Sequence, residues 1–265
     1  MDDRSIDNLI DSILRASSIL VCVGAGISVN AGIPDFRSHD AGIYSQIPDP
    51  DELFHIENYQ CDPIPFYKLC QWLLKEGIDS YRPTFTHNFI SNLSKSGKLL
   101  RCYTQNVDGL EVKAGLKLNQ EVIQCHGNFD SINCSECRRK SPYSSTLWIK
   151  KVNKFLSSPT LDPSKISSSL RCETCSGFLK PSVVMFGEPL SVDFLSQIDY
   201  DVNACDLLLV IGTSLQVYPF AAIPGRVHND IPKFLISKGA LVGPQNVTVI
   251  DDDCDKVFTL VSHHL

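Results

Sequence analysis

Gly24-Ala-Gly-Ile-Ser-Val-Asn-Ala-Gly-Ile-Pro-Asp-Phe-Arg37 is the stretch on which the reading of this chain turns. It directly follows Ile19-Leu-Val-Cys-Val23, an apolar, β-branched run of the kind that forms a buried parallel strand with a ligand at its carboxyl end. Gly24 and Gly26 lack Cβ atoms, so the backbone can turn tightly and present N–H groups to an anion, with diphosphate the first expectation. The dinucleotide fingerprint is not met, because Val29 stands where it needs Gly or Ala and the third glycine waits until Gly32. No Gly-Lys-Ser/Thr follows, which removes a Walker A loop. Ile33-Pro-Asp-Phe-Arg37 instead sets one Asp and one Arg among apolar residues in a loop, a pocket segment continuous with the cradle. The plain alternative is a glycine-rich turn with no ligand.

Other strands end in the same way. Leu99–Tyr103 runs into Thr104-Gln-Asn-Val-Asp-Gly109, and the run after Asp206 empties into Gly212-Thr-Ser214. Lys233–Ile236 meets Ser237-Lys-Gly239, and Val247–Ile250 meets Asp251–Asp253 with Cys254 just beyond. Helical stripes lie between them: Ile6, Leu9, Ile10, Ile13 and Leu14; then Phe66, Leu69, Cys70, Leu73 and Leu74; then Phe85, Phe89, Ile90 and Leu93. This alternation predicts an α/β fold, a Rossmann-like doubly wound parallel sheet binding its ligand along the carboxyl edge. Residues 38–64, rich in Asp, Pro and aromatics and weakly periodic, are long enough to include a mobile loop over the pocket. Residues 128–178 interrupt the alternation and carry the Ser-rich run 157–169. They are expected to form a small inserted module with a flexible loop, leaving 1–127 and 179–265 as the sheet domain.

The chain has 265 residues, 43% of them hydrophobic and 20% charged, with a net charge of −6 and a pI near 5.6. That balance argues against strong direct nucleic-acid binding and is compatible with a basic protein tail as partner. No apolar run reaches the roughly 18 residues of a membrane span, and the Met1-Asp-Asp start resembles neither a signal nor a transit peptide. An intracellular protein, without membrane attachment, is expected.

Of eleven cysteines, four form Cys134-x-x-Cys137 and Cys172-x-x-Cys175, separated by 34 residues. Four thiolates suit a tetrahedral zinc ion with no open position, hence a structural one; unligated or redox-active cysteines are the alternative. The other seven read as small buried residues. His126-Gly127 follows the possible strand Val122–Cys125, and a histidine there serves as a structural residue or as a base. Asn106 and Asp108 sit at another strand end, and Asn, Asp and His converging on a dinucleotide edge are what ribose chemistry requires. Lys180-Pro-Ser-Val-Val-Met-Phe-Gly-Glu188 reads as an exposed or edge strand able to accept an extended peptide, or simply as an edge strand.

Taken together, 24–38, Tyr103–Leu110, His126-Gly127, the four cysteines, Val183–Pro189 and Gly212–Pro219 resemble the sirtuin family of NAD-dependent protein deacylases, and within it the class I deacetylases. The resemblance implies NAD between the sheet domain and the zinc module. Diphosphate would lie on Gly24, Ala25 and Gly26, with Ser28, Arg37 and Tyr44 also against the cofactor. Gly212, Thr213, Ser214, Ser237, Lys238 and Cys254 would contact ribose or adenine. Ile33, Asp35, Asn106 and Asp108 would form the nicotinamide pocket, and Gln105 and His126 would contact its ribose. Phe36, Val184, Phe186 and Val217 would line an acyl-lysine tunnel, with the substrate peptide pairing along Phe186-Gly187-Glu188.

The implied reaction converts acetyl-lysine and NAD to lysine, nicotinamide and O-acetyl-ADP-ribose, with His126 as neutral base and Asn106, Asp108 and Asp35 assisting cleavage. Histone tails would be among the substrates of a monomeric enzyme of the nucleus or cytoplasm. Alternatives are a longer-chain deacylase, a protein ADP-ribosyltransferase, a dehydrogenase on the same sheet and a non-catalytic zinc scaffold. The sequence departs from the family pattern at Ser237, where Asn is common, at Val107, where Ile is common, and in its long Ser-rich link. No Arg occurs between Arg37 and Arg82, so an acidic acyl group lacks its obvious partner.

Overall fold

The computed structural model describes residues 3–35, 50–74, 80–239 and 245–265. In chain order its strands are β1 (Ile19–Val23), β2 (Leu99–Thr104), β3 (Val122–Gln124), β4 (Ser131–Cys134), β5 (Lys140–Ser144), β6 (Leu179–Pro181), β7 (Leu207–Ile211), β8 (Lys233–Ile236) and β9 (Thr248–Ile250). The chain divides into two compact units, one of residues 1–35, 82–125 and 190–265, the other of residues 36–81 and 126–189.

In the first unit β1 and β7 are continuous apolar runs because both faces of their sheet are covered. Ile19, Val21 and Val23 join Leu207, Leu209 and Ile211 in one core, while Leu20 and Cys22 join Leu208 and Val210 in the other. The first core is closed by helix Asp3–Arg15, through Ile6, Leu9, Ile10 and Ile13, and by helices Phe85–Lys95 and Cys254–Ser262; Leu14 of the expected stripe is 49% exposed. The second is closed by Phe194, Ile198 and Val202 of helix Val192–Ala204. The described strands form a six-stranded sheet in the order β3-β2-β1-β7-β8-β9, paired in parallel throughout. This is the doubly wound order, and its direction of winding reverses between β1 and β7, where ligands of such sheets bind. Val23 and Ile211 are register partners, so Gly24 and Gly212 leave the sheet side by side.

The second unit carries the antiparallel sheet β5-β4-β6 and extends beyond the expected 128–178. Helices Ile56–Cys61 and Ile64–Leu73 belong to it because their aromatic side chains pack there. Tyr59 meets Phe66, Tyr67 and Phe178 edge-on, and Tyr67 meets Trp148. The Tyr59 hydroxyl (2.8 Å) and Trp148 Nε1 (3.0 Å) both donate to the Leu179 carbonyl. Within the Ser-rich link, which follows helix Ser145–Leu156, short 3₁₀ turns occupy Pro163–Lys165 and Ser168–Leu170, and Ile166 and Leu170 are buried. One expectation is corrected here. Lys180–Glu188 is a strand only as far as Pro181, and Lys180 is 3% exposed. The stretch 38–64 expected to include a mobile loop lies partly outside the described residues; its described part, from residue 50, is largely helical. Among the described residues no helix is long and apolar enough to cross a membrane.

Candidate functional site

At the switch point the glycines serve a purpose different from the expected one. The Gly24 N–H donates to the Ile211 carbonyl (3.0 Å) and the Gly26 N–H to that of Gly212 (2.8 Å), so neither is the anion donor the sequence pointed to. What the glycines provide is close approach. A Cβ on Gly26 would stand 2.7 Å from Gly212 Cα, and one on Gly212, whose φ is +62°, would stand 2.6 Å from the Ile27 nitrogen. Both obstacles are backbone, which cannot swing aside. Gly26→Ala should therefore lose about 1–3 kcal/mol. Thermal unfolding reads this as a lower melting temperature, and Gly212→Ala should lose more because φ strain adds to the clash.

From that turn a hydrogen-bonded set extends to the end of β2. Asn106, 5% exposed, donates through Nδ2 to the Gly24 carbonyl (3.1 Å), and its N–H reaches Thr104 Oγ1 (3.0 Å). Buried Ser28 donates to Asp108 Oδ2 (2.7 Å), and the Leu110 N–H donates to Oδ1 (2.9 Å). Burial raises the Asp108 carboxyl above the usual range, and these two donors oppose the rise. Gln105 accepts from Thr213 Oγ1 (2.7 Å), which links the end of β2 to the end of β7. Ile33 and Asp35 follow, both half-buried, the Ile33 N–H directed at the Ser28 carbonyl (3.3 Å).

Ala25 is half-buried and Ser214 exposed. Ser237 pairs its N–H with the Ile250 carbonyl (3.2 Å), Lys238 is exposed, and Cys254 is buried with Sγ toward the Ile236 carbonyl (3.6 Å). Half-buried Val217 lies in the turn after β7, its carbonyl accepting from the Ala221 N–H (2.9 Å). Phe36, Arg37 and Tyr44 lie outside the described residues.

The second unit presents His126 in a turn just beyond β3. Its carbonyl accepts the Val184 N–H (2.8 Å), and a Cβ on Gly127 would stand 2.0 Å from the Ser182 carbonyl oxygen, so only glycine follows the histidine here. Phe186, 40% exposed, pairs with residues 54–56: its N–H donates to the Phe54 carbonyl (2.8 Å), and its carbonyl accepts from the Ile56 N–H (3.0 Å). Both the Phe186 N–H and the Glu188 N–H, which donates to the Met185 carbonyl (3.0 Å), are thereby engaged within the chain. The turn is held from below by Lys180, whose Nζ meets Glu188 Oε2 (2.8 Å), the same oxygen that accepts the Met185 N–H (2.9 Å).

The four paired cysteines converge: all four Sγ atoms lie within 4.8 Å of one another, with Cys134–Cys175 at 3.4 Å and Cys137–Cys172 at 3.7 Å. These distances exclude disulfides. A tetrahedral zinc with bonds near 2.3 Å would separate its sulfurs by about 3.8 Å, so the donor set fits a structural zinc ion. The backbone N–H groups of Thr174 and Cys175 lower the Cys172 thiol, favouring the thiolate that a metal needs. Of the other cysteines Cys22, Cys70, Cys102, Cys125, Cys205 and Cys254 are buried and Cys61 is exposed.

Three buried polar residues beside Asp108 were not singled out from the sequence: Thr84, His87 and Glu111. Thr84-x-x-His87 matches the spacing of a helix-capping box, and the Thr84 N–H does donate to His87 Nδ1 (3.2 Å). Glu111 gives no such signal.

Comparison with known proteins agrees with this geometry. The Sir2 family (SIR2) profile matches residues 24–219. The NAD-dependent histone deacetylase sirtuin-1 of Drosophila melanogaster is 35% identical over 279 residues, covering 99% of this chain and 33% of its own. The NAD-dependent protein deacetylase hst2 of Schizosaccharomyces pombe is 36% identical over 249 residues, covering 91% of this chain and 70% of its own. A solved Sir2 structure, a histidine-to-alanine variant with a deacetylated p53 peptide and 3′-O-acetyl-ADP-ribose, superposes with a TM-score of 0.80 at 26% identity, covering 97% of this chain and 98% of that one. The chain spans less than half the length of sirtuin-1 relatives, 46% of the rat protein for example. The profile match over most of the chain, the identity along nearly all of it and the shared structure show that it belongs to the Sir2 family.

Proposed function

We propose that the protein removes acetyl groups from protein lysines with NAD as co-substrate, releasing nicotinamide and O-acetyl-ADP-ribose. The observation that carries this reading is the set Gly24–Ser28–Asn106–Asp108 at the switch point, a buried amide donating to the Gly24 carbonyl and a carboxylate accepting from the Ser28 hydroxyl. The ends of β1 and β7 form the point where the winding of the sheet reverses, the place where doubly wound sheets take a dinucleotide. NAD supplies an activated ribosyl bond there.

The chain's own residues then have distinct tasks. The turn at 24–26 would hold the diphosphate through groups other than the Gly24 and Gly26 N–H, which are engaged with β7 and its exit, while Gly212, Thr213 and Ser214 would contact ribose or adenine and Gln105, tied to Thr213, the nicotinamide ribose. Ile33, Asp35 and Asn106 orient the nicotinamide amide, and the Asp108 carboxylate favours positive charge developing at the ribose. His126, acting as base, accepts a proton from a ribose hydroxyl. Phe186 and Val184 flank the acyl-lysine, and the peptide backbone pairs by strand addition at Gly187 and the Glu188 carbonyl, the Glu188 N–H being held by Met185.

A net charge of −6 favours basic segments such as histone tails, and eleven free cysteines suit the reducing nucleus or cytoplasm. Mass spectrometry after incubation with NAD and acetyl-lysine peptides tests the assignment. Stoichiometric nicotinamide and O-acetyl-ADP-ribose are expected, while acetyl loss without NAD, or ADP-ribose retained on protein, overturns it. With no Arg between Arg37 and Arg82, acetyl-peptides should be consumed faster than succinyl-peptides, and the reverse order refutes the acetyl preference.

A further inference from the structure

Behind Asp108 lies a second layer of ionisable groups. His87, Asp108 and Glu111 each bring one ligating atom to within 4.8 Å of the others, and both His87 and Glu111 are 1% exposed. Glu111 Oε1 accepts from Thr104 Oγ1 (2.6 Å), the residue that also receives the Asn106 N–H. Glu111 Oε2 and His87 Nε2 are buried without a hydrogen-bond partner among the described residues. A fully buried carboxyl this close to a second, half-buried one does not ionise alongside it.

Which one keeps the proton follows from their surroundings. Asp108 accepts from Ser28 and from the Leu110 N–H, and Lys113 adds a favourable positive charge. Glu111 is helped by the Thr104 hydroxyl, its own N–H and the Asn106 amide, but burial and the Asp108 charge outweigh them, and the Cys102 and Cys125 thiols beside it add no positive charge. His87 does not neutralise the pair. Its Nδ1 accepts the Thr84 N–H, so the neutral ring carries its proton on Nε2, and burial holds the imidazole down to about 4 against the pull of Asp255.

We propose that Glu111 is a positioning residue for Asp108: it holds the one proton the two carboxyls share, so that Asp108 carries the charge and His87 beside it stays neutral. The catalytic meaning rests on the deacetylase reading above, since the single charge then sits on the carboxylate hydrogen-bonded to Ser28, next to Asn106, and not deeper in the sheet. Its physical basis does not. Burial and the Asp108 charge raise the Glu111 carboxyl in the folded protein, so its contribution to stability is greatest below the ordinary carboxylate range and is lost as pH rises through the raised value. His87, lowered by burial, acts in the opposite sense, its contribution being lost as pH falls below its ordinary range.

Glu111→Gln keeps the shape of the protonated acid and cannot ionise, and the His87 contribution cancels when it is compared with the unaltered chain. Between about pH 5 and about pH 9 the unaltered chain should lose several degrees of melting temperature relative to Glu111→Gln. At neutral pH the unaltered chain should also show a protonated-carboxyl infrared band that the variant lacks. In turnover, Glu111→Ala should lower kcat for nicotinamide release by about tenfold or more with little change in KM, and Glu111→Gln should restore most of that loss. Parallel melting curves with no difference in the infrared band overturn the proposal, as does a Gln variant as impaired as the Ala one. If the unaltered chain itself turns over no acetyl-peptide, the deacetylase reading fails and the melting and infrared measurements still decide the proton's place.

Discussion

Replacing His126 with alanine is expected to lower deacetylation by roughly 10²–10⁴-fold, the usual contribution of a general base, with the fold retained. Alanine preserves the main-chain bond in which the His126 carbonyl receives the Val184 N–H. Gly127 meets the strict steric requirement at this turn. NAD binding should be largely kept, since the groups assigned to the diphosphate and nicotinamide belong to the first unit. Three measurements separate the steps: melting temperature, NAD affinity by calorimetry, and single-turnover appearance of O-acetyl-ADP-ribose. Unchanged melting and binding with collapsed turnover is the expected pattern. Turnover within a few-fold of the unaltered chain would remove His126 from the reaction.

The parts of the molecule that were legible in the sequence are those whose signal is local. Five consecutive apolar residues before Gly24 specify a strand buried on both faces, and β1, β7 and β8 fall where composition places them. The pairing of Cys134-x-x-Cys137 with Cys172-x-x-Cys175 was likewise readable, since thiolate spacing is a direct statement of metal geometry. Longer-range dependence hid the rest. Helix Ser145–Leu156 buries only Trp148 and Val152, so its stripe is too thin to read, and it is fixed by the aromatic residues of 59–67 far away in sequence. The same packing moved those helices into the second unit. The segment after Pro181 looks like a strand because Val183, Val184 and Phe186 favour one, yet the buried Lys180–Glu188 pair and the bridge at Phe186 turn it instead. The close approach of Gly24 and Gly26 to Gly212 has no local signal, because only the register of β1 against β7 brings Gly212 beside them. Glu111 could not have been found, since nothing in sequence distinguishes a buried glutamate at the start of a short helix from a solvated one.

Removing zinc is expected to unfold most of the second unit while leaving the parallel sheet formed. Metal binding in structural four-thiolate sites is coupled to folding, with apparent values of about 10–16 kcal/mol in zinc-finger peptides, more than a small three-stranded sheet can replace. The ligands stand at two critical places. Cys134 is the last residue of β4, and Cys172 and Cys175 enclose the turn that the Arg171–Phe178 bridge closes just before β6. Without the metal, four partly buried sulfurs would repel as thiolates or pack loosely as thiols, and β6 would lose the anchor that sets its register against β4. The Leu179 carbonyl would go with it, together with the donors from Tyr59 and Trp148 that depend on it. This gives a direct optical readout. The chain has two tryptophans; Trp72 is already 44% exposed, whereas Trp148 is fully buried. A zinc chelator, or Cys172→Ser, should therefore shift the fluorescence to longer wavelength through Trp148 almost alone, with hydrogen exchange accelerating across β4–β6 and remaining slow in β1 and β7. Stoichiometric zinc loss with unchanged Trp148 emission would show that the aromatic cluster around Leu179 holds the unit without the metal.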